Sequence, residues 1–286
     1  MNSPTVAQRL ADAARSLSLA GVDTPELDAE LLLAHALGVD RTWLLTHPEH
    51  ILTPEQQTAF RALLDRRVQR HPLAYITGQR WFYDILLHVT PAVLVPRPET
   101  EELVARALTW LQTHPRAMVA DIGTGSGAIA LAVAKHTPPT VRIVATDISA
   151  RALDVARANA LRLGLEQRVV FLLGDLLAPL PEPVDLLLAN LPYVAERDRS
   201  GLAPEVSVHE PAGALFSGPA GLDHLRRLLA QAPDFLRPGG AVLLEIGYDQ
   251  GPAVIELARR FFPHAAIRLH QDLAGLDRLL EITTTQ

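Results

Sequence analysis

Residues 190–193 read Asn190-Leu191-Pro192-Tyr193 and follow the apolar run Asp185-Leu186-Leu187-Leu188. An amide, a proline and a tyrosine after a buried strand can be simple turn punctuation. They can also grip a planar nitrogen. The Asn190 side-chain oxygen and the Leu191 backbone carbonyl are natural acceptors for the two N–H groups of an amide or an aromatic amine. Pro192 stiffens the loop, and Tyr193 offers a ring face to a flat group. A planar amide or amine nitrogen is a poor nucleophile because its lone pair is delocalised. Two such acceptors turn that lone pair toward an electrophile such as a sulfonium methyl. None of the four residues is a general base. Positioning, worth on the order of 7–11 kcal/mol in well-aligned cases, is therefore the larger lever.

A second chemical stretch is Asp121-Ile122-Gly123-Thr124-Gly125-Ser126-Gly127, between an apolar segment and a helix-forming one. Alternating glycines let a backbone turn sharply and let a ligand approach main-chain atoms. Gly123, Gly125 and Ala128 satisfy the dinucleotide fingerprint Gly-x-Gly-x-x-Gly/Ala. Asp121 and Gly127 instead favour the Asp-x-Gly-x-Gly-x-Gly pattern of S-adenosylmethionine sites. Asp147 ends the next expected strand and can accept from both ribose hydroxyls of either ligand, in competition with a role as helix N-cap. Asp175, in Gly174-Asp175-Leu176, can accept from an adenine amino group with Leu176 packed on the ring, or can be a turn residue.

These residues need elements to bring them together. From residue 96 the sequence alternates strand and helix. Strands are expected over 117–122, 141–146, 169–173, 186–189, 241–246, 265–269 and 279–283, and helices over 99–112, 128–136, 150–163, 222–236 and 251–261. Such alternation predicts a mostly parallel α/β sheet covered on both faces, with ligands bound beyond the carboxyl ends of its strands. The loops after residues 122, 146, 173 and 189 then share one crevice. Residues 1–72 read as a small helical domain. Val6, Leu10, Ala13, Ala14 and Leu17 keep a helical period. Thr24-Pro25 starts a second helix with Leu27, Leu31, Ala34 and Leu37 as its apolar face. Thr53 and Gln56 form a capping box for a helix reaching about Arg70. Residues 73–95 read as a β-hairpin linker, and 96–286 as the ligand-binding domain. Trp43, Tyr75 and Trp81 read as packing residues.

At 286 residues the chain buries roughly three quarters of its unfolded surface and needs no covalent staples. It has no cysteine, which excludes disulfides, zinc-thiolate sites and a thiol nucleophile. A net charge of −6 and a pI near 6.0 tell against free DNA or RNA as a direct partner. No apolar stretch approaches the ~20 residues that span a bilayer, and Met1-Asn2-Ser3-Pro4 lacks the start of a signal peptide. A cytoplasmic protein is expected. His47 and His50 are spaced for one helix face, but Pro48 breaks the helix and no third ligand is evident, so no metal is expected.

Together, 121–127, Asp147, Gly174-Asp175 and 190–193 resemble the class I S-adenosylmethionine-dependent amino-methyltransferases. Five further stretches are very similar to the release-factor glutamine methyltransferase (PrmC/HemK) family. They are Val93-Leu94-Val95-Pro96-Arg97-Pro98-Glu99-Thr100-Glu101, Glu210-Pro211 with Ala214-Leu215, Gly239-Gly240 with Leu244-Glu245-Ile246-Gly247, residues 272–278, and Asp28-Ala29-Glu30-Leu31-Leu32-Leu33. The resemblance covers nearly the whole chain. It implies a Rossmann-like seven-stranded sheet preceded by a small all-α domain and a hairpin. It also implies S-adenosylmethionine as cofactor, S-adenosylhomocysteine as product, and methylation of the glutamine amide in the Gly-Gly-Gln motif of peptide chain release factors. The expected cofactor residues are Asp121, Gly123, Thr124, Gly125, Ser126, Gly127, Asp147, Asp175, Leu176 and Asn190. The expected catalytic residues are Asn190, Pro192 and Tyr193, and the substrate contacts are those three with Leu191 and Arg97. The helical domain would help dock the protein substrate, and a monomer is expected.

One departure stands out. The family pattern has proline where this chain has Leu191, and Asn-Leu-Pro-Tyr is typical of ribosomal RNA adenine dimethyltransferases. The carbonyl survives the change, but leucine has a freer φ. Ser217 also replaces one of a glycine pair before Gly218. The competing readings are a ribosomal-protein glutamine methyltransferase, an adenine amino-methyltransferase acting on RNA or DNA, a nicotinamide-dependent dehydrogenase and a silent cofactor-binding scaffold. The dehydrogenase leaves 190–193 unexplained.

Overall fold

A computed structural model describes residues 4–272 and 274–285. Residues 1–3 of the N-terminal reading and Leu273 of the 272–278 stretch lie outside it. The described chain forms two compact units, one running to Gly78 and joined by Ala203–His209, the other holding the rest.

The first unit contains α1 (Val6–Leu19), α2 (Pro25–Leu37), α3 (Arg41–Thr46), α4 (Pro54–Val68) and α5 (Leu73–Thr77). Helix α1 opens on a capping box between Thr5 and Gln8, and α4 on the expected one between Thr53 and Gln56. Thr24 does not cap α2 through its side chain; its hydroxyl donates to Asp28 Oδ1 across 2.9 Å. Gly38 ends α2 in the left-handed conformation. The buried face of α2 is Ala29, Leu32, Leu33 and Ala34, whereas Leu27 is exposed. Leucines lie nearly all round this helix, so apolar spacing alone does not pick its inner face. The choice follows Asp28, which is buried against Arg67 Nε at 2.6 Å. Arg67 also reaches Glu205 at 2.7 Å, and Arg70 binds the same carboxylate at 2.6 Å. His47 stacks on Trp43 with centroids 4.4 Å apart, and His50 meets that ring edge-on.

The second unit begins with the antiparallel hairpin β1 (Gln79–Phe82) and β2 (Ile85–His88). Tyr83 takes a positive φ of 56° in its turn. Phe82 is buried, but Trp81 is 66% exposed, because alternate strand residues face opposite ways. Trp81 is therefore not the packing residue its size suggested. The chain continues through α6 (Glu101–Leu111), β3 (Met118–Ile122), α7 (Ala128–His136), β4 (Arg142–Asp147), α8 (Ala150–Arg162), β5 (Val169–Leu173) and β6 (Val184–Ala189). Helix α9 (Pro204–His209) belongs to the first unit. Then come α10 (Asp223–Phe235), β7 (Leu236–Glu245), α11 (Gly251–Phe261), β8 (Ala266–Gln271) and β9 (Asp277–Thr283).

Seven strands form one sheet in the order β5-β4-β3-β6-β7-β9-β8, parallel except at β9. Leu186, Leu187 and Leu188 of β6 are all fully buried, as expected of a strand covered on both faces. Strand β7 starts five residues before the expected 241. It runs through Arg237-Pro238-Gly239-Gly240 with a register shift against β6 between Val184 and Leu186. Proline and glycine read as a turn there, yet a bulge accommodates them. The strand order reverses between β3 and β6, which places the loops after residues 122 and 189 side by side at the carboxyl edge. No helix among the described residues is long and apolar enough to cross a membrane.

Candidate active site

A cavity of about 360 Å³ opens at this edge. All four expected loops line it, through Gly123 to Ser126, Asp147 with Ile148 and Ser149, Gly174 to Leu176, and Asn190 to Pro192. Arg97 and Thr100 line it from the segment before α6. Three residues selected from the sequence are absent from the lining: Asp121, Gly127 and Tyr193.

The glycine loop has the shape its sequence demands. Gly123, Gly125 and Gly127 have φ values of 73°, 56° and 83°, a region that residues with a Cβ rarely adopt. Asp121 lies behind this loop, fully buried. Its Oδ2 accepts from Thr124 Oγ1 at 2.6 Å and from the Ala130 amide at 3.1 Å, while Oδ1 has no partner. Burial pushes its carboxyl up to about 7. Asp121 thus braces the loop and the start of α7 rather than forming the cavity wall.

Asp147 joins two loops. Its Oδ2 accepts from the Gly125 amide at 2.9 Å and its Oδ1 from the Ser149 amide at 2.8 Å. Ser149, not Asp147, caps α8, accepting from the Ala152 amide. Burial raises the Asp147 carboxyl above the usual range. Asp175 is ion-paired with Arg227 of α10 at the cavity. Leu176 has a φ of 51°, a strained conformation for leucine, and its carbonyl accepts from Thr146 Oγ1 at 3.0 Å. Arg97 is held by Glu210, whose Oε1 it meets at 2.5 Å and whose Oε2 accepts from the Val95 amide at 3.1 Å. Pro98 and the acidic residues after it also open a short 3₁₀ turn into α6. This segment therefore starts a helix and also lines the cavity through Arg97 and Thr100.

Asn190 donates from Nδ2 to Thr100 Oγ1 at 2.9 Å. Thr100 in turn donates to Glu245 Oε2 at 2.5 Å, and the Tyr193 hydroxyl donates to Glu245 Oε1 at 3.3 Å. Glu245 is 3% exposed, and burial pushes its carboxyl up to about 7. Burial and the nearby Glu245 also raise the Tyr193 hydroxyl, keeping it neutral. Tyr193 therefore serves this buried chain of hydrogen bonds rather than the cavity wall.

Comparison with known proteins bears on what this site belongs to. Residues 8–78 match the PrmC N-terminal domain, and residues 105–220 match the Methyltransferase small domain. A release factor glutamine methyltransferase of Moorella thermoacetica is 46% identical over 275 residues, covering 96% of each chain. The chain belongs to the release factor glutamine methyltransferase family. A second member, from Cereibacter sphaeroides, is 43% identical and covers 95% of this chain and 97% of its own. The ribosomal protein L11 methylase of Lactobacillus delbrueckii subsp. bulgaricus shares the fold. It has a TM-score of 0.51 and 23% identity, over 69% of this chain and 84% of that one. The fold is that of a class I methyltransferase, and the dehydrogenase reading is set aside.

Within this glutamine methyltransferase family, Leu191 takes on a clear structural role. It is 4% exposed and belongs to the core around Ile122, Leu187 and Leu244. A Cβ on Gly123 would lie 2.9 Å from its Cδ2, so the side chain fills the space that glycine leaves. The residue that departs from the family pattern locks the two loops together by packing.

The sequence reading gave no role to Thr100, Glu245, His224 or Arg227. Glu245 carried a signal, a lone acid closing the apolar run Ala241-Val242-Leu243-Leu244. His224 and Arg227 are spaced for one face of α10, and both line the cavity. Ser217 Oγ accepts from the His224 amide at 2.9 Å and lies 2.8 Å from the ring Nδ1, which holds the imidazole at the cavity.

Proposed function

We propose that this chain transfers a methyl group from S-adenosylmethionine to the side-chain amide nitrogen of the glutamine in the Gly-Gly-Gln motif of release factors. The observation that carries this reading is the orientation of Asn190. Its Nδ2 is engaged by Thr100, so Oδ1 is the atom left to accept from a substrate N–H at the cavity.

The residues present fit the cofactor. A cavity of about 360 Å³ falls in the range of small-ligand sites. Two left-handed glycines, Gly123 and Gly125, line it, and Asp147 offers carboxylate lone pairs beside them for ribose hydroxyls. Asp175 and Leu176 line the same cavity and would give an adenine an acceptor and an apolar face. When bound, S-adenosylmethionine supplies a methyl group on a positively charged sulfur, which departs as a neutral thioether.

The chain itself contributes position. Asn190 Oδ1 and the Leu191 carbonyl accept from the two amide hydrogens and hold the nitrogen lone pair in line with the carbon it attacks. The proton released from that nitrogen passes to water. Pro192 limits the motion of the acceptors. Arg97, fixed by Glu210, lines the cavity and would contact the incoming peptide. The cysteine-free composition fits a cytoplasmic site of action.

Methyl-labelled cofactor, a purified release factor and this chain test the reading. Label is expected on the release factor. Asn190→Ala is expected to keep cofactor affinity while its rate falls more than about tenfold, ~1.4 kcal/mol of transition-state stabilisation. Absence of label with the unaltered chain ends the reading. A smaller loss in the variant removes the role given to Asn190.

A further inference from the structure

We propose that Glu245 is a positioning residue for methyl transfer: as a carboxylate it takes the single proton of Thr100 and so forces Asn190 to present Oδ1, not Nδ2, to the substrate. The inference rests on the reading of Asn190 as the acceptor for the substrate amide.

The case is a count of protons. A threonine hydroxyl has one hydrogen to give, and an ionised carboxylate has none. Glu245 receives two O–H donors, Thr100 at Oε2 across 2.5 Å and Tyr193 at Oε1 across 3.3 Å. Thr100 then has only lone pairs left for Asn190, which meets them with Nδ2 at 2.9 Å. An inverted Asn190 would set its oxygen against those lone pairs and turn its NH₂ group toward the N–H groups of the substrate. Both contacts would become repulsive, so the ionised carboxylate selects one of two amide orientations. A protonated Glu245 removes the selection. It has a hydrogen of its own for Thr100, and Thr100 can then donate to an inverted Asn190.

Thr100 and Glu245 are 4% and 3% exposed, which keeps water from supplying a replacement proton donor or acceptor. The charged or titratable groups that face Glu245 are Glu99 from the turn before α6, Arg278 of β9 and Tyr193 from the loop after β6. Burial and Glu99 raise the carboxyl, while Thr100, Tyr193 and Arg278 lower it, leaving it at about 7. The selecting, ionised form is therefore present above neutrality and lost as pH falls. A purely structural Glu245, kept only to satisfy two hydroxyls, predicts a stability effect but no titration of the rate.

The test combines kinetics with a readout that needs no turnover. With the full chain, the unaltered protein is expected to lose kcat as pH falls from about 8.5 to about 6, and Glu245→Gln to be slower and flat over that range. Thr100→Val, which keeps shape but breaks the relay, is expected to lower kcat at least about tenfold with release-factor KM and cofactor affinity little changed, and Thr100→Ser to restore most of the loss. The side-chain amide resonances of Asn190, seen by selective ¹⁵N-asparagine labelling, are expected to titrate near neutrality in the unaltered chain and not in Glu245→Gln. An amide titration that persists in Glu245→Gln, or a Thr100→Val enzyme as fast as Thr100→Ser, overturns the proposal. The resonance experiment judges the relay even if no release factor is methylated, an outcome that overturns the underlying functional reading instead.

Discussion

Gly125 donates its backbone N–H to Asp147 Oδ2 across 2.9 Å, which ties the loop after β3 to the end of β4. The same carboxylate fixes the Ser149 amide at the start of α8. One side chain therefore sets the distance between two walls of the cavity and still offers lone pairs to a ligand. Asp147→Ala is expected to weaken S-adenosylmethionine binding at least about tenfold, ~1.4 kcal/mol, measured by isothermal titration. Unchanged affinity with a lowered melting temperature would leave Asp147 as a brace between loops and nothing more.

The contact between Gly123 and Leu191 predicts coupled stability. Alanine at 123 must adopt a φ near 73° and place its Cβ 2.9 Å from Leu191 Cδ2. Gly123→Ala is expected to destabilise the chain by about 1–3 kcal/mol from strain and overpacking. Leu191→Ala removes the clash but leaves a cavity, so the double variant should lose less than the sum of the two single losses. Strict additivity in thermal unfolding would show that the two loops do not share this contact.

The helical unit rests on a buried ionic cluster. Arg67 is enclosed with Asp28 and Glu205, with 8%, 6% and 15% of the side chains exposed. Arg67→Met leaves Asp28 buried without its partner and is expected to cost about 3–5 kcal/mol, with recovery when Asp28→Leu is added. Burial raises the Glu205 carboxyl, but hydrogen bonds from Arg70 and Arg67 outweigh it and hold the group at about 2. A depressed carboxyl stabilises the folded state above its ordinary value of 4.5 and loses that effect as pH falls toward about 2. Acid titration followed by circular dichroism should therefore show the helical signal of Glu205→Gln less dependent on pH across that window. Equal dependence in both proteins would contradict the assignment.

Much of this architecture is legible in the sequence because its signals are local. The Thr53 and Gln56 capping box, the αL glycine at 38 and the three glycines of the loop each report a backbone conformation within a few residues. The alternation of apolar runs with amphipathic stretches gives the seven strands, and the topology rule brings Gly123, Asp147, Asp175 and Asn190 to one cavity. What escapes the sequence depends on partners distant along it. Thr100 meets Asn190 and Glu245 across separations of 90 and 145 residues, so no local pattern announces the relay. The inner face of α2 is settled by the burial of Asp28 with Arg67, and the exposure of Trp81 by the pleat of a short hairpin. Leu191 looked like a loosened loop in the sequence. Its near-complete burial against the glycine loop gives the opposite meaning.

The most direct measurement is a mass spectrum of the Gly-Gly-Gln peptide from a release factor incubated with this chain and S-adenosylmethionine. A release factor carrying alanine in place of that glutamine serves as control. The expected result is the gain of one methylene, localised by fragmentation to the glutamine side chain and absent from the control. A methyl group on another residue, or none while S-adenosylmethionine binds, would contradict the assignment of Asn190 and the Leu191 carbonyl as the cradle for a glutamine amide.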